Sequence, residues 1–373
     1  MTTSSISAFA PGRVELLGNH TDYNQGVVLA GAIDRGLKVT GSHRPDQIAS
    51  FRSPAIGNPV DVDIEDFAPQ EKERWANYGL GVVKELLQAG HELGGFSAEV
   101  SGDLSPGSGL SSSAAFEVAT AYFLAKLFKL DLPPEAVARL CRRAENEFVG
   151  VPSGLLDQTT SVFGRADHVV YLDCRNEEVQ TIPFLPDVAL IIAESGSKHS
   201  LVAGEYKARR EECLAAARAL NVASLRDINP QQLAERGGSL DPILRKRASH
   251  IVGENDRVWR ALKCFENGDA VGMGALMNVS HESSRVDFEN STPELDALVS
   301  LAQSLPGVFG SRLGGGGFGG STVTLVAAKD ASAAADSLNR EWRSRSGHAA
   351  NAFVCRLADG AAALFNTSRD SAN

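Results

Sequence analysis

The stretch SPGSGLSSSAAFEVATAYFLAKLF, residues 105–128, limits what this chain can become. It opens as a loop of glycine and serine and continues as a helical pattern that is apolar nearly all round. A helix of that kind cannot lie on a surface and belongs in the middle of a domain. Burying it requires layers on more than one side. With 373 residues the chain can supply them, being long for one core and sufficient for two domains. Apolar residues make up 43% and charged residues 22%, the balance of an ordinary globular protein.

The surrounding pattern supplies strands and helices for those layers. Residues 26–34 (GVVLAGAID) and 36–44 (GLKVTGSHR) read as two strands joined by a tight turn. Residues 61–67 alternate like a half-exposed strand, and residues 96–104 read as another. Residues 74–90 form an amphipathic helix closed by Gly90, and residues 133–150 a helix with Pro133 at its start and Gly150 at its end. After HVVYLD (168–173) the pattern restarts. A buried strand is expected over 187–195, with helices over 205–220, 256–268 and 291–305. A glycine-rich turn at 314–320 then opens into a strand at 321–328. Strands and helices are mixed rather than strictly alternating, so the expected class is α+β, with domains over residues 1–185 and 186–373.

Charge and cysteines narrow the function classes. The net charge of −10 and pI near 5.4 disfavour a nucleic-acid partner, which needs a basic face. One phosphorylated ligand held by local donors stays compatible. The five cysteines are scattered without a CxxC pair, as reduced thiols in a cytoplasmic protein would be. MTTSSISAFA lacks the basic and long apolar segments of a secretory leader, and no apolar run is long enough to span a bilayer. No membrane partner is expected.

Four loops carry chemistry. In SPGSGLSSSAA, Gly107 and Gly109 permit close backbone approach, and Ser111, Ser112 and Ser113 place hydroxyls and free N–H groups at a helix start. That is an anion site, or equally a strand-to-helix turn with serine caps. No lysine follows the glycines, so it is no Walker A loop. GGGGFGG (314–320) contains G-x-G-x-x-G but precedes a strand, which excludes a dinucleotide fingerprint. It suits close passage of another backbone, as when a loop of the second domain closes on a site. In ENEFVGVPSGLLDQ, Glu145 shares a helical face with Cys141 and Phe148, and is either solvated or placed for a cation. Asp157, flanked by Leu156 and Leu155, is a capping residue, a base or a charge partner. Finally, PGRVELLGNHTDYNQG groups Arg13, Asn19, His20 and Asp22, side chains able to grip the hydroxyls of a sugar. Glu15 reads only as a strand position.

In this order, PGRVELLGNHTDYNQGVVL, SPGSGLSSSAAFEVA, AENEFVGVPSGLLDQ, DHVVYLDCR, EYKARREEC and GSRLGGGGFGGSTVTLV resemble the galactokinases of the GHMP small-molecule kinase superfamily. The resemblance implies a two-domain α+β fold with the active site in the cleft between domains. It implies that Gly107, Ser108, Gly109, Leu110, Ser111, Ser112 and Ser113 wrap the phosphates of ATP. Ser113 and Glu145 would hold Mg²⁺, and Asn19, His20, Thr21, Asp22, Gly154 and Tyr206 would meet the sugar. Asp157 takes the place of the catalytic aspartate near the sugar C1 hydroxyl, with Arg13 beside it holding it ionised. An adenosine contact near Ser53 has only a weak local match. A monomer or weak oligomer is expected. A non-catalytic sensor of galactose and ATP is the competing reading, against which GLSSSAA, Arg13, Glu145 and Asp157 are all present.

The chain departs from the family's pattern at Gly314, Ser321 and Ser153, and more consequentially at Asn19. Galactokinases usually carry Glu there, holding the C6 hydroxyl. A charged acceptor is worth about 1 kcal/mol more than a neutral one. Weaker galactose binding is therefore expected, or tolerance of L-arabinose, 6-deoxygalactose or galacturonate; N-acetylgalactosamine is a further alternative. On this reading Asn19→Glu raises kcat/KM for galactose relative to the altered sugars.

Overall fold

One 17-residue strand, Val27–His43, organises the first half of the molecule. The computed structural model describes residues 5–196, 202–348 and 350–370. Strands β1 (Ile6–Leu17), β2 (Val27–His43), β3 (Ile48–Ser53), β4 (Gly57–Asp63), β5 (Phe96–Gly102), β6 (His168–Asp173) and β7 (Glu178–Pro183) form a seven-stranded sheet. Its order is β4-β3-β5-β2-β6-β7, with β1 paired to β2. All pairings are antiparallel except β3 with β5. The expected turn at residues 34–36 does not exist. β1 pairs with β2 along nearly its whole length, from Ile6↔Gly41 to Leu17↔Leu29, so the chain has no reason to reverse. Gly36 answers another need: a Cβ there would lie 2.3 Å from the Ala10 carbonyl oxygen and 2.4 Å from the Phe9 ring.

Helices α1 (Asn77–Gln88), α2 (Ser112–Phe128), α3 (Pro134–Arg143) and α4 (Leu156–Phe163) complete this half. The apolar helix α2 is central, as its composition demands: it packs on β1, β2, α1, α3 and α4 and is buried almost throughout. The helix expected over 133–150 breaks in two. After α3 the chain widens into a π-helical turn, Ala144–Val149, which Gly150 ends in the left-handed conformation. The strand expected over 61–67 sits earlier, at β4, where it pairs with β3.

The second half holds helices α5 (Val202–Ala219), α6 (Pro230–Arg236), α7 (Pro242–Asn267), α8 (Ala270–Ser283), α9 (Pro293–Gln303), α10 (Ala331–Ser346) and α11 (Ala361–Asp370). Strands β8 (Val188–Glu194), β9 (Val308–Leu313), β10 (Ser321–Ala327) and β11 (Phe353–Cys355) form an antiparallel sheet in the order β11-β8-β10-β9. α7 is twice the length read from residues 256–268, starting at an Asp241 cap with Pro242 in its first turn. After β11 the chain returns to the first sheet. Leu357 bridges Ile33, the Ala358 N–H donates to the Ala32 carbonyl at 2.9 Å, and α11 packs on β1, α2 and α4. The main core is continuous from Leu29, Phe51 and Phe123 to Leu190, Ile192, Val323 and Leu325. The five cysteines are all free thiols. Among the described residues no helix is long and apolar enough to cross a membrane.

The close approach at Gly36 is testable. Gly36→Ala forces β1 and β2 apart and is expected to cost about 2 kcal/mol, within the range for overpacking. Urea unfolding reads the cost. An unchanged midpoint would show that β1 shifts freely.

Candidate active site

The Arg13 side chain leaves β1 toward the start of α4 and the glycine–serine loop before α2. Its Nε donates to Asp157 Oδ1 at 2.7 Å and its Nη1 to the Gly109 carbonyl at 2.7 Å. The Arg13 backbone N–H reaches the Leu110 carbonyl at 3.1 Å. One arginine thus joins two segments that are 96 and 144 residues away. The Arg13–Asp157 partnership expected from sequence is therefore present. Asp157 lies in the first turn of α4 but does not cap it; the N-cap position is Leu155. Asp157 Oδ2 accepts from the Ser111 hydroxyl, and the carboxylate is 26% exposed, so it keeps a face to the cavity. Ser111 is the N-cap of α2 by position, in the left-handed conformation, yet its hydroxyl serves Asp157 rather than the helix.

A cavity of about 340 Å³ opens on this pair. Arg13, Glu15, Asn19, His20, Asp22, Glu145, Gly154, Asp157, Tyr206 and Gly316 line it. That gathers most of the expected sugar-side residues, Asn19, His20, Asp22, Gly154 and Tyr206, from three separate segments. Gly154 is needed here because a Cβ would fall 2.0 Å from an Asp22 carboxylate oxygen. His20 Nε2 lies 2.9 Å from the Gly316 carbonyl, which can only accept, so Nε2 carries the proton and Nδ1 accepts from the Tyr23 hydroxyl at 2.7 Å. Burial lowers the His20 pKa to about 4, keeping the ring neutral. Its ring packs against Tyr206 and Phe288. Both His20 nitrogens are thus already engaged by protein.

Two expectations change. Thr21 does not line the cavity: its hydroxyl is fully buried beside the Gly18 and Val27 carbonyls, at 2.8 and 2.7 Å, where it fastens the loop. Asn19 is committed as well. Its Nδ2 donates to Glu15 Oε1 at 3.2 Å and to the Gly315 carbonyl at 2.6 Å, while its Oδ1 accepts from Asn290 at 2.9 Å. Glutamate at position 19 would set a second acceptor against Glu15 and Gly315, so on this geometry Asn19→Glu is expected to lower kcat/KM for galactose rather than raise it, as a panel of the same sugars would read.

The phosphate-side loop contributes through its backbone. The Ser108 hydroxyl folds back on the Ser105 carbonyl at 2.8 Å and Leu110 is buried, whereas Ser112 and Ser113 face a second cavity of about 370 Å³. The first N–H groups of α2 point out of the helix with no intrahelical acceptor, a donor set suited to an anion. The second glycine-rich loop faces the first: a Cβ on Gly315 would come within 3.1 Å of the Gly109 carbonyl oxygen. The second cavity is largely apolar, with Leu37, Ile56, Trp75, Tyr78 and Phe116 in its wall. Sequence reading took Trp75 and Tyr78 as ordinary amphipathic-helix residues. Ser53 is not in either cavity; it is buried, with its hydroxyl on the Val100 carbonyl at 3.1 Å.

The π-helical turn carries Glu145 into the wall of the first cavity, beside Ser113 of the second. Its Oε2 accepts from Gln158 at 2.9 Å and from the Ser153 hydroxyl, and Ser113 is a further polar neighbour. Burial raises the Glu145 pKa, opposed by those hydrogen bonds. Among the described residues no cluster of three or more His, Cys, Asp or Glu side chains could cage a metal. One carboxylate and one hydroxyl, both hard oxygen donors, do suit a Mg²⁺ that arrives with phosphates and keeps several waters.

Asp22 gives the site a pH signature. Burial and then the neighbouring Asp157 raise its pKa from 3.8 to about 7. Below that pH the group is a neutral acid; above it, an acceptor of hydroxyl donors. Accordingly kcat/KM for the sugar should rise between pH 6 and 8 and level off, and Asp22→Asn should lower it and remove the inflection. The folded state holds the Asp22 proton between pH 4 and 7 where the unfolded chain does not, so its stabilising contribution fades as pH rises through 7. A pH-independent kcat/KM over this interval would remove Asp22 from sugar binding.

Known proteins resemble this chain along most of its length. The family model for the GHMP kinases N terminal domain matches residues 77–165, that for GHMP kinases C terminal matches 261–344, and the galactokinase galactose-binding signature matches 2–43. A galactokinase of Roseiflexus sp. (strain RS-1) is 42% identical over 96% of this chain and 93% of its own. That of Chloroflexus aurantiacus is 40% identical over the same shares. The crystal structure of Lactococcus lactis galactokinase complexed with galactose superposes with a TM-score of 0.90 at 32% identity, covering 96% of this chain and 94% of that one. Methanococcus jannaschii mevalonate kinase shares the fold, with a TM-score of 0.70 at 18% identity.

Proposed function

This chain belongs to the galactokinase family of GHMP kinases, and from that premise we propose that it transfers the γ-phosphoryl group of ATP to the C1 hydroxyl of galactose. The observation that carries the reading is the Arg13–Asp157 pair at 2.7 Å, set between the polar cavity and the glycine–serine loop. The sugar occupies the cavity lined by Asn19, His20, Asp22, Gly154 and Tyr206, with its C1 hydroxyl at Asp157. The adenine lies in the apolar cavity beside Trp75 and Tyr78, so the phosphates run along Gly107, Ser108, Gly109, Leu110, Ser111, Ser112 and Ser113 toward the sugar.

Transfer then proceeds in line. The C1 oxygen forms a bond to the γ-phosphorus as the bond to the β–γ bridging oxygen breaks, releasing ADP. The C1 hydroxyl proton passes to the Asp157 carboxylate. The transition state is loose and its charge sits on oxygens, so placement and electrostatics dominate. Arg13 and Ser111 fix both oxygens of Asp157, and backbone N–H groups at the start of α2 face the phosphates. Ser113 and Glu145 would hold Mg²⁺, whose charge neutralises the phosphate oxygens when bound. The five free thiols are those of a protein kept in a reducing compartment such as the cytoplasm, and the enzyme acts there as a monomer or weak oligomer.

With galactose and ATP the protein should release ADP and galactose 1-phosphate in equal amounts. A sensor would bind both ligands and release no ADP. Asp157→Asn should lower kcat by roughly 10³-fold, within the range for losing a proton acceptor, while ATP affinity stays the same. Turnover near the parent rate in that variant would remove Asp157 from the chemistry.

A further inference from the structure

Glu15 had no role in the sequence beyond its place in β1, yet it is a wall of the sugar cavity. Its carboxylate is 4% exposed. Oε1 is committed, accepting from Asn19 Nδ2 and Arg312 Nη1, each at 3.2 Å. Among the described residues none donates to Oε2, and Oε2 is not among the side-chain atoms sealed without a partner. The free oxygen therefore retains contact with the cavity.

Its position along the strand says which part of a ligand it meets. Arg13, Val14 and Glu15 pair with Ala32, Gly31 and Ala30 without interruption, so Arg13 and Glu15 point to the same face of β1. Two residues of strand advance about 7 Å, comparable with the width of a hexose ring. A sugar with its C1 hydroxyl at Asp157, beside Arg13, turns its opposite edge toward Glu15. That edge carries the C4 hydroxyl and the exocyclic C6 hydroxyl.

We propose that Glu15 sets sugar specificity, its free carboxylate oxygen accepting a hydrogen bond from a hydroxyl on the sugar edge opposite C1. The inference rests on the galactokinase reading and names a residue that reading did not need. Asn19 is then a positioning residue, donating to the other oxygen and turning the carboxylate into the cavity. Arg312 supplies the counter-charge: it is wholly buried, and its Nε and Nη2 have no hydrogen-bond acceptor. Burial raises the Glu15 pKa above its ordinary value, and Arg312 and Arg13 limit the rise. A carboxylate in this place favours a donating hydroxyl and disfavours an anionic substituent, so a sugar acid such as galacturonate is repelled at the same edge.

The test is kcat/KM for galactose, 4-deoxygalactose and 6-deoxygalactose in the parent protein, Glu15→Asp and Glu15→Gln. Glu15→Asp keeps a charge facing Arg312 but withdraws it from the sugar, so it serves if Glu15→Gln does not fold. Losing a hydrogen bond to a charged acceptor should cost galactose roughly 10- to 100-fold. The deoxy sugar that lacks the contacted hydroxyl should be turned over equally by parent and variant, to within about twofold, closing a double-mutant cycle. KM for ATP should not move. Equal losses on all three sugars would show that Glu15 only supports Arg312, and no loss on galactose would show no role; either overturns the inference while leaving galactokinase activity standing. A parent protein inactive on galactose would instead overturn the functional reading, and the inference with it.

Discussion

The carboxylate of Glu254, on α7, holds the sugar loop in place. It is fully buried and accepts from the Gly18 and Asn19 backbone N–H groups at 3.0 and 3.2 Å, from Ser280 at 2.7 Å and from Arg257 at 2.5 Å. Burial alone would raise its pKa. The charges of Arg257 and Arg312 and the Ser280 hydrogen bond more than reverse that, keeping it well below the ordinary carboxylate range. His250, one turn earlier on the same helix, meets the Asn19 carbonyl at 3.1 Å, and Asn255 binds the Val27 N–H at 3.0 Å. The loop after β1 thus has its polar backbone satisfied by a helix more than 220 residues later. A buried ion of this kind is valuable only while every partner is present, since removing one leaves the rest unpaired at about 3–5 kcal/mol.

The chemistry-bearing residues were legible through the order of their motifs along the chain, not through any one loop. Serines after glycines and an acid among leucines each have an ordinary structural use as well; what singles them out is their order along the chain together with Arg13, and the structure brings Arg13, Ser111 and Asp157 together. The supports were not legible. Glu254 and His250 lie in a long helix where acids and histidines normally face solvent, and only burial distinguishes them. Arg312 sits at the start of the GSRLGGGGFGG motif, but the glycines draw the reading and the arginine is given no role. Trp75 and Tyr78 look like core aromatics, and only the second cavity separates them from that use. Element boundaries failed for related reasons. Residues 34–36 look like a turn until β1 is seen to pair on both sides of them. The π-helical turn at Ala144–Val149 has no signature in periodicity, because one widened turn resembles the helix it interrupts.

The two glycine-rich loops have different duties despite similar composition. The first, at 107–113, carries the α2 N-terminus and the Arg13 contact. The second, at 314–320, offers carbonyls: Gly315 to Asn19, and Gly316 to His20 and Asn290. It therefore fixes side chains of the sugar loop while leaving room for the first loop to pass. One loop thus presents backbone oxygens, to the side chains of Asn19, His20 and Asn290, and the other the N–H groups at the start of α2.

The return of the chain after β11 gives the molecule two crossings between its sheets, one between Pro183 and Val188 and one at Cys355 to Leu357. A body joined once can swing in any direction; a body joined at two points can turn only about the line through them. The core that runs on between the two sheets and the Glu254 anchor add further ties beside those two crossings. The return of the chain after β11 thus makes the joint between the sheets stiffer than a single linker would.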